Sequence, residues 1–183
     1  MHMSVADRVD QLLGVTALAA IDRLRAAVAV VPGVGESEAG ALVHLQAWPG
    51  CSVGDLAGVI DRSQPATVRL VDRLVDRGLV ERRSGADRRT LALVLTRAGS
   101  RAADAVLAAR TSALSTLLGG LSSGERDALE HLLEGVVAGI ADDRPAALQV
   151  CRLCDRDMCC SGPGCPLQHT AGPSEDSRRR RPS

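Results

Sequence analysis

Apolar residues recur at helical spacing along most of the chain. Between residues 5 and 31, Leu18, Ile21, Leu24 and Val28 fall on one face, and Pro32-Gly33 ends the stretch. Residues 37–47 predict a second, short helix, stopped by Pro49-Gly50. Ser52 stands three residues before Asp55, a capping box that opens a third helix over about 53–60. The tight connection Asp61-Arg62-Ser63 leads to a fourth helix over 63–77, with Ser63 placed to cap it and Pro65 tolerated in its first turn. There Ala66, Leu70, Val71, Leu74 and Val75 share an apolar face, with Arg69, Asp72, Arg73 and Asp76 opposite. Gly78 is a good left-handed stop, and Leu79 can supply the hydrophobic contact that accompanies one.

The pattern then changes. "LVERR" and "TLALVLT" read as two strands joined through the glycine-containing "SGAD", which predicts a hairpin. Thr96 is placed to cap a long helix running toward Leu118, broken by Gly119-Gly120. Ser122 and Glu125 form a second capping box. It opens a last helix whose Leu129, Leu132, Leu133, Val136, Val137 and Ile140 make an apolar face too large for a lone exposed helix. Pro145 is expected to close it. Two short helices across a tight turn, followed by a hairpin, predict a mainly α fold with a small β-wing: a winged helix-turn-helix.

Composition supports a helical core. Hydrophobic residues make up 45% of the 183, yet there is one Trp and no Phe or Tyr. The core must be Leu, Val and Ala. All 22 basic residues are arginines and the net charge is zero, but the charge is segregated. Residues 1–61 carry a net −4, residues 62–101 a net +6, residues 102–177 a net −6, and Arg178 to Arg181 add +4. A basic block between acidic flanks suggests a polyanion-binding surface, against the alternative of a solvated face laced with ion pairs. No apolar run is long enough to span a membrane and no secretion signal stands out, so a cytoplasmic protein without a membrane partner is expected. No nucleophile–base set, phosphate loop or paired-carboxylate motif points to an enzyme.

The second helix of a helix-turn-helix fits the major groove, where each base pair shows its own donor and acceptor pattern. Ser63, Gln64, Thr67, Arg69 and Arg73 are the candidates on that helix. One bidentate contact discriminates between bases by roughly 1–3 kcal/mol. The plainer alternative pairs Arg69 and Arg73 with Asp72 and Asp76. On the wing, Arg82, Arg83, Arg88 and Arg89 are candidates for phosphate or minor-groove contact. Asp87 is suited to fork-pair with a neighbouring guanidinium and aim it.

The stretch 54–99 resembles the core of the MarR family of bacterial transcription regulators. "LVDRLVDRGLVERR", the "DRR" at 87–89 and the "LTRAG" that opens the next helix carry the likeness, and the helical order fits from about residue 5 to 141. The resemblance implies a homodimer on a pseudo-palindromic DNA operator, with recognition helix 63–77 and wing 80–95. It gives Arg88 the role of the wing-tip arginine that enters the minor groove, and Asp87 that of its orienting acid. It also implies a helical dimerisation domain, with an N-terminal dimerisation helix in 1–36, the winged helix-turn-helix in 37–99 and C-terminal dimerisation helices in 100–145; composition adds a cysteine-rich metal or redox segment in 146–170 and a disordered basic tail in 171–183. Control in the family comes from a small-molecule effector, often phenolic, or from cysteine oxidation. The chain departs from that pattern twice. Trp48 is the one aromatic near the expected pocket, and no cysteine lies near the first helix. Cys51 is expected to be a small buried residue, and His44 a satisfied histidine rather than a ligand.

Five of the six cysteines fall in "CRLCDRDMCCSGPGCPLQH", residues 151–169. Cys151 and Cys154 form a C-x-x-C pair that presents two thiolates from one turn. With Cys159 and Cys165 they supply the four ligands that zinc takes in a tetrahedron, Cys160 or His169 being substitutes. An iron–sulfur cluster also uses four cysteines. An oxidant-sensing disulfide and an inert tail are the other readings. Some MarR-like regulators from GC-rich bacteria resemble this chain in carrying a "CRLCD…C…CP" tail. The competing function class is therefore a metal-stabilised or thiol-redox protein whose cysteine cluster carries the main activity.

Overall fold

A computed structural model describes residues 5–84, 91–161 and 164–168. In chain order the elements are α1 (Val5–Val28), α2 (Glu36–Ala47), α3 (Val53–Val59), α4 (Gln64–Asp76), β1 (Val80–Ser84), β2 (Leu91–Leu95), α5 (Arg97–Leu117), α6 (Ser123–Ala138), α7 (Arg144–Val150) and α8 (Arg156–Cys159). The fold is mainly helical, with one antiparallel hairpin in which Val80 faces Leu95 and Ser84 faces Leu91. α3 and α4 form the helix-turn-helix, and the hairpin follows as the wing.

Local caps set the boundaries. The Ser52–Asp55 box closes in both directions, as does the Ser122–Glu125 box. The Thr96 hydroxyl accepts the Gly99 amide and starts α5. After α4, Gly78 takes φ +66. Its amide donates to the Val75 carbonyl and that of Leu79 to Leu74, the Schellman arrangement, with Leu79 tucked into the core.

Three expectations need correction. α1 ends at Val28, not near residue 31, because a β-branched Val28/Val30/Val31 run before a proline disfavours helix. Ser63 occupies the cap position of α4, yet its hydroxyl makes no capping bond. Pro65 removes one of the amides that a cap hydroxyl uses, and the Ser63 carbonyl instead accepts both the Thr67 amide and the Thr67 hydroxyl. Pro145 does not close α6, which stops at Gly139. It sits in the first turn of a further helix, α7, capped by Asp143.

One core joins the long helices to the helix-turn-helix and wing. Leu42, Leu45, Leu56, Leu74 and Leu93 are fully buried in it, drawn from α2, α3, α4 and β2. α1 and α5 pack along each other, and α7 packs on α3. α6 buries none of its residues. No described helix is long and apolar enough to cross a membrane.

Candidate nucleic-acid interface

α4 buries Thr67, Leu70, Val71 and Leu74 and turns its other side outward. Gln64, Pro65, Val68, Arg69 and Arg73 are exposed. They lie in two neighbouring i, i+4 rows, Gln64–Val68–Asp72 and Pro65–Arg69–Arg73, which make a ridge of groove-sized width. Thr67 does not share this surface. It is 0% exposed, and its hydroxyl is bonded to the Ser63 carbonyl. Ala66 lies on the exposed side rather than the apolar face. The buried stripe thus begins one residue later than the periodicity suggests. Val68, 39% exposed, is an addition to the sequence-predicted set. An apolar side chain on that ridge suits a thymine methyl, and its i+4 spacing from Gln64 is the signal that could have found it.

Most of the arginines are engaged. Arg73 reaches back to Glu38 of α2 at 2.6 Å, not to Asp72 or Asp76. Burial works to raise the Glu38 pKa, but the hydrogen bond and charge of Arg73, with backbone bonds, hold it below the usual carboxylate value. Arg77 donates to the Pro32 and Gly33 carbonyls, both at 2.6 Å, and so ties the end of α4 to the α1–α2 turn. Arg62 donates to the Ser37 hydroxyl. Arg82 of the wing pairs with Asp72 of α4 at 2.6 Å, which fixes the base of the wing against α4. Arg83 pairs with Glu81, two residues away on the same strand. Arg69 is exposed and forms no ion pair among the described residues. The basic block is therefore a braced frame with a smaller free set, Arg69 foremost on α4. Asp87, Arg88 and Arg89 lie outside the described residues.

Behind α4, the hairpin is anchored to the turn before α3. The Leu93 amide donates to the Cys51 carbonyl at 3.0 Å, and the Gly50 amide to the Leu93 carbonyl at 2.7 Å. Cys51 is half-buried against the core. Burial first, and the charge of Asp55 second, push its thiol up to about 12, so it is no nucleophile at neutral pH. His44 is buried and stacked on Trp48, ring centroids 4.7 Å apart. Burial lowers its pKa to about 4, against the raising charge of Asp55. A cleft of about 70 Å³ lies between Leu24, Val28, Glu36, Arg152 and Leu153. Pockets for drug-sized ligands hold about 300–1,000 Å³, so this cleft is too small for an aromatic effector as it stands.

In the cysteine-rich segment, Cys151, Cys154, Cys159 and Cys165 are half-buried and Cys160 is exposed. Burial, reinforced by the neighbouring thiols, pushes Cys151 up to about 11 and Cys159 up to about 12, and burial raises Cys154 as well. Among the described residues, no three His, Cys, Asp or Glu side chains already stand closed around a metal position. His169 lies outside the described residues.

Residues 33–90 match the family model of the MarR family. No curated protein matches the chain. Among solved structures, a MarR family protein from Bacillus stearothermophilus superposes with a TM-score of 0.64 at 25% identity, covering 74% of this chain and 96% of that one. RV1404 from Mycobacterium tuberculosis gives 0.63 at 25%, covering 76% and 96%. A probable transcriptional regulator from Pseudomonas aeruginosa gives 0.53 at 28%, covering 70% and 98%. The architecture is that of a MarR-like winged helix-turn-helix. About a quarter of this chain falls outside each of these matches, while nearly all of each solved chain falls inside.

Proposed function

We propose that the chain is a MarR-type transcriptional regulator: a homodimer that binds a pseudo-palindromic duplex operator through α4 and the wing, and acts as a repressor. The observation that carries this reading is the Gln64–Val68–Arg69 ridge. It projects from a helix whose other face is locked in the core, beside a wing held by the Arg82–Asp72 pair. Positions that could read bases are free, and those that would position the reader are braced. The resemblance assigns Arg88, aimed by Asp87, to the minor groove; Arg83 and Arg89 are the wing's candidates for phosphate contact. Thr67 has no part in the interface.

Dimerisation is supported by uncovered apolar faces on two helices. Leu18 of α1 and Leu132 of α6 are each 66% exposed, and Leu12, Val136 and Ile140 are about half exposed. A second copy laid on these faces would remove that area from water. Control is assigned to the cysteine-rich segment, which packs on α3. A small-molecule effector is the other candidate for that role. The protein's action is binding, not catalysis.

Selection of binding sites from a pool of random duplexes tests this. An inverted repeat with half-sites about 34 Å apart, one helical turn, is expected, bound by two chains. Arg88→Ala should weaken that complex. A pool that fails to enrich, or a preference for single strands, would sink the reading.

A further inference from the structure

Contact with DNA leaves five cysteines of the chain without a role, and the fold sorts them. Cys151, Cys154, Cys159 and Cys165 are half-buried, while Cys160 is exposed. Cys151 and Cys154 bracket one reverse turn, closed by the Cys154 amide on the Cys151 carbonyl at 2.9 Å. Cys159 ends α8, whose start is fixed by the Asp155 carboxylate accepting the Met158 amide. Cys165 returns the chain to the same place, and it packs with Cys151 against a small core of Ala141, Ala147 and Leu167. The side chain of Cys159 interacts with those of both Cys154 and Cys165.

That small core, with helices of seven and four residues, is too slight to order such a segment alone. Segments of this kind are stapled by a metal or by disulfides. Yet the segment carries well-defined contacts to the DNA-reading unit. Arg152, between the paired cysteines, donates to Glu36 of α2 at 2.7 Å, and its stem covers Gly40. Leu148 and Leu153 pack against the main core, and the Arg156 guanidinium lies 4.6 Å over the Trp48 ring.

We propose that Cys151, Cys154, Cys159 and Cys165 bind one zinc ion as four thiolates, and that this ion holds α7 and α8 against α2 and α3. This one segment carries four half-buried thiols, and four is the number that a closed tetrahedral zinc site takes; Cys160 is exposed and stays outside. A single disulfide would use two of the four and leave the other pair without a role. Four thiols and one zinc ion give a tetrathiolate of net charge −2, and four protons are released to solvent. Arg110 of α5 acts electrostatically on Cys151 and Cys154 and offsets part of that charge. As they stand, no three of them are placed to hold an ion, so binding must draw them together and tighten the segment with them.

The test uses the full chain, purified reduced and without chelator. Elemental analysis should find one zinc per chain. Cobalt added anaerobically to the metal-free protein should give the visible bands and sulfur-to-metal charge transfer of a tetrahedral tetrathiolate. Cys160→Ser should leave stoichiometry and spectrum unchanged, whereas Cys159→Ser should weaken cobalt binding by roughly 100-fold or more. Chelation should speed amide exchange in α3 and α7. A protein that binds neither ion overturns the site, as does a cobalt spectrum that survives Cys154→Ser with Cys159→Ser. A disulfide within the four in freshly isolated, metal-free protein also overturns it, in favour of a redox pair. Exchange in α3 that ignores chelation overturns the brace. None of these readouts involves DNA, so their failure leaves the operator reading standing.

Discussion

His44 is a histidine that its surroundings keep neutral. Its pKa is about 4 in the fold, lowered chiefly by burial, against about 6.5 in the unfolded chain. Between those values the unfolded state binds more protons, so stability falls as pH drops through that window and levels off below it. At pH 5 the loss is about 2 kcal/mol. Glu38, whose pKa is lowered, contributes stability that is lost only at more acid pH, as its carboxylate protonates. Urea unfolding at neutral pH and at pH 5 should show the loss in the parent chain and much less of it in His44→Gln. An equal loss in both would exclude His44 as the cause.

At the scale of elements, α5 and the start of β1 meet at a close joint behind the wing. The Thr96 amide donates to the Leu79 carbonyl at 3.1 Å, and the Thr96 hydroxyl to that of Gly78 at 2.6 Å. A Cβ on Gly99 would overlap the Leu79 carbonyl oxygen, and backbone cannot step aside as a side chain can. Gly99→Ala should cost about 1–3 kcal/mol, read from the denaturation midpoint. A midpoint equal to that of the parent chain would show that the joint yields. The glycine of "LTRAG" is thus there for close approach. Much of this layer was legible in the sequence, because caps and stops are local: Ser52 with Asp55, Thr96, Ser122 with Glu125, and Gly78 all sit within a few residues of what they bond. The partners of the arginines were not legible. Arg73 finds Glu38 across 35 residues, and Arg77 finds Pro32 across 45. Thr67 was misplaced because one residue turns a helix by about 100°, enough to exchange groove for core. α7 escaped notice because seven residues carry too little periodicity to stand out.

The whole molecule is electrically neutral but not uniform. Its basic block spans α4, the wing and the first turn of α5, and the stretches on either side are acidic. Neutral total charge therefore hides a cationic reading face, much of whose charge is already paired for positioning. Arg69 is the exception on α4, exposed and without an ion-pair partner among the described residues. The salt dependence of duplex affinity therefore tests the central claim most directly, comparing the parent chain with Arg69→Ala on the selected inverted repeat. Arg69→Ala should lower affinity by about tenfold or more, through lost base or phosphate contact. If Arg69 holds a phosphate in each half-site, the slope of log affinity against log salt should also fall by about 2 for the dimer. Affinity and slope both equal to those of the parent chain would contradict the account.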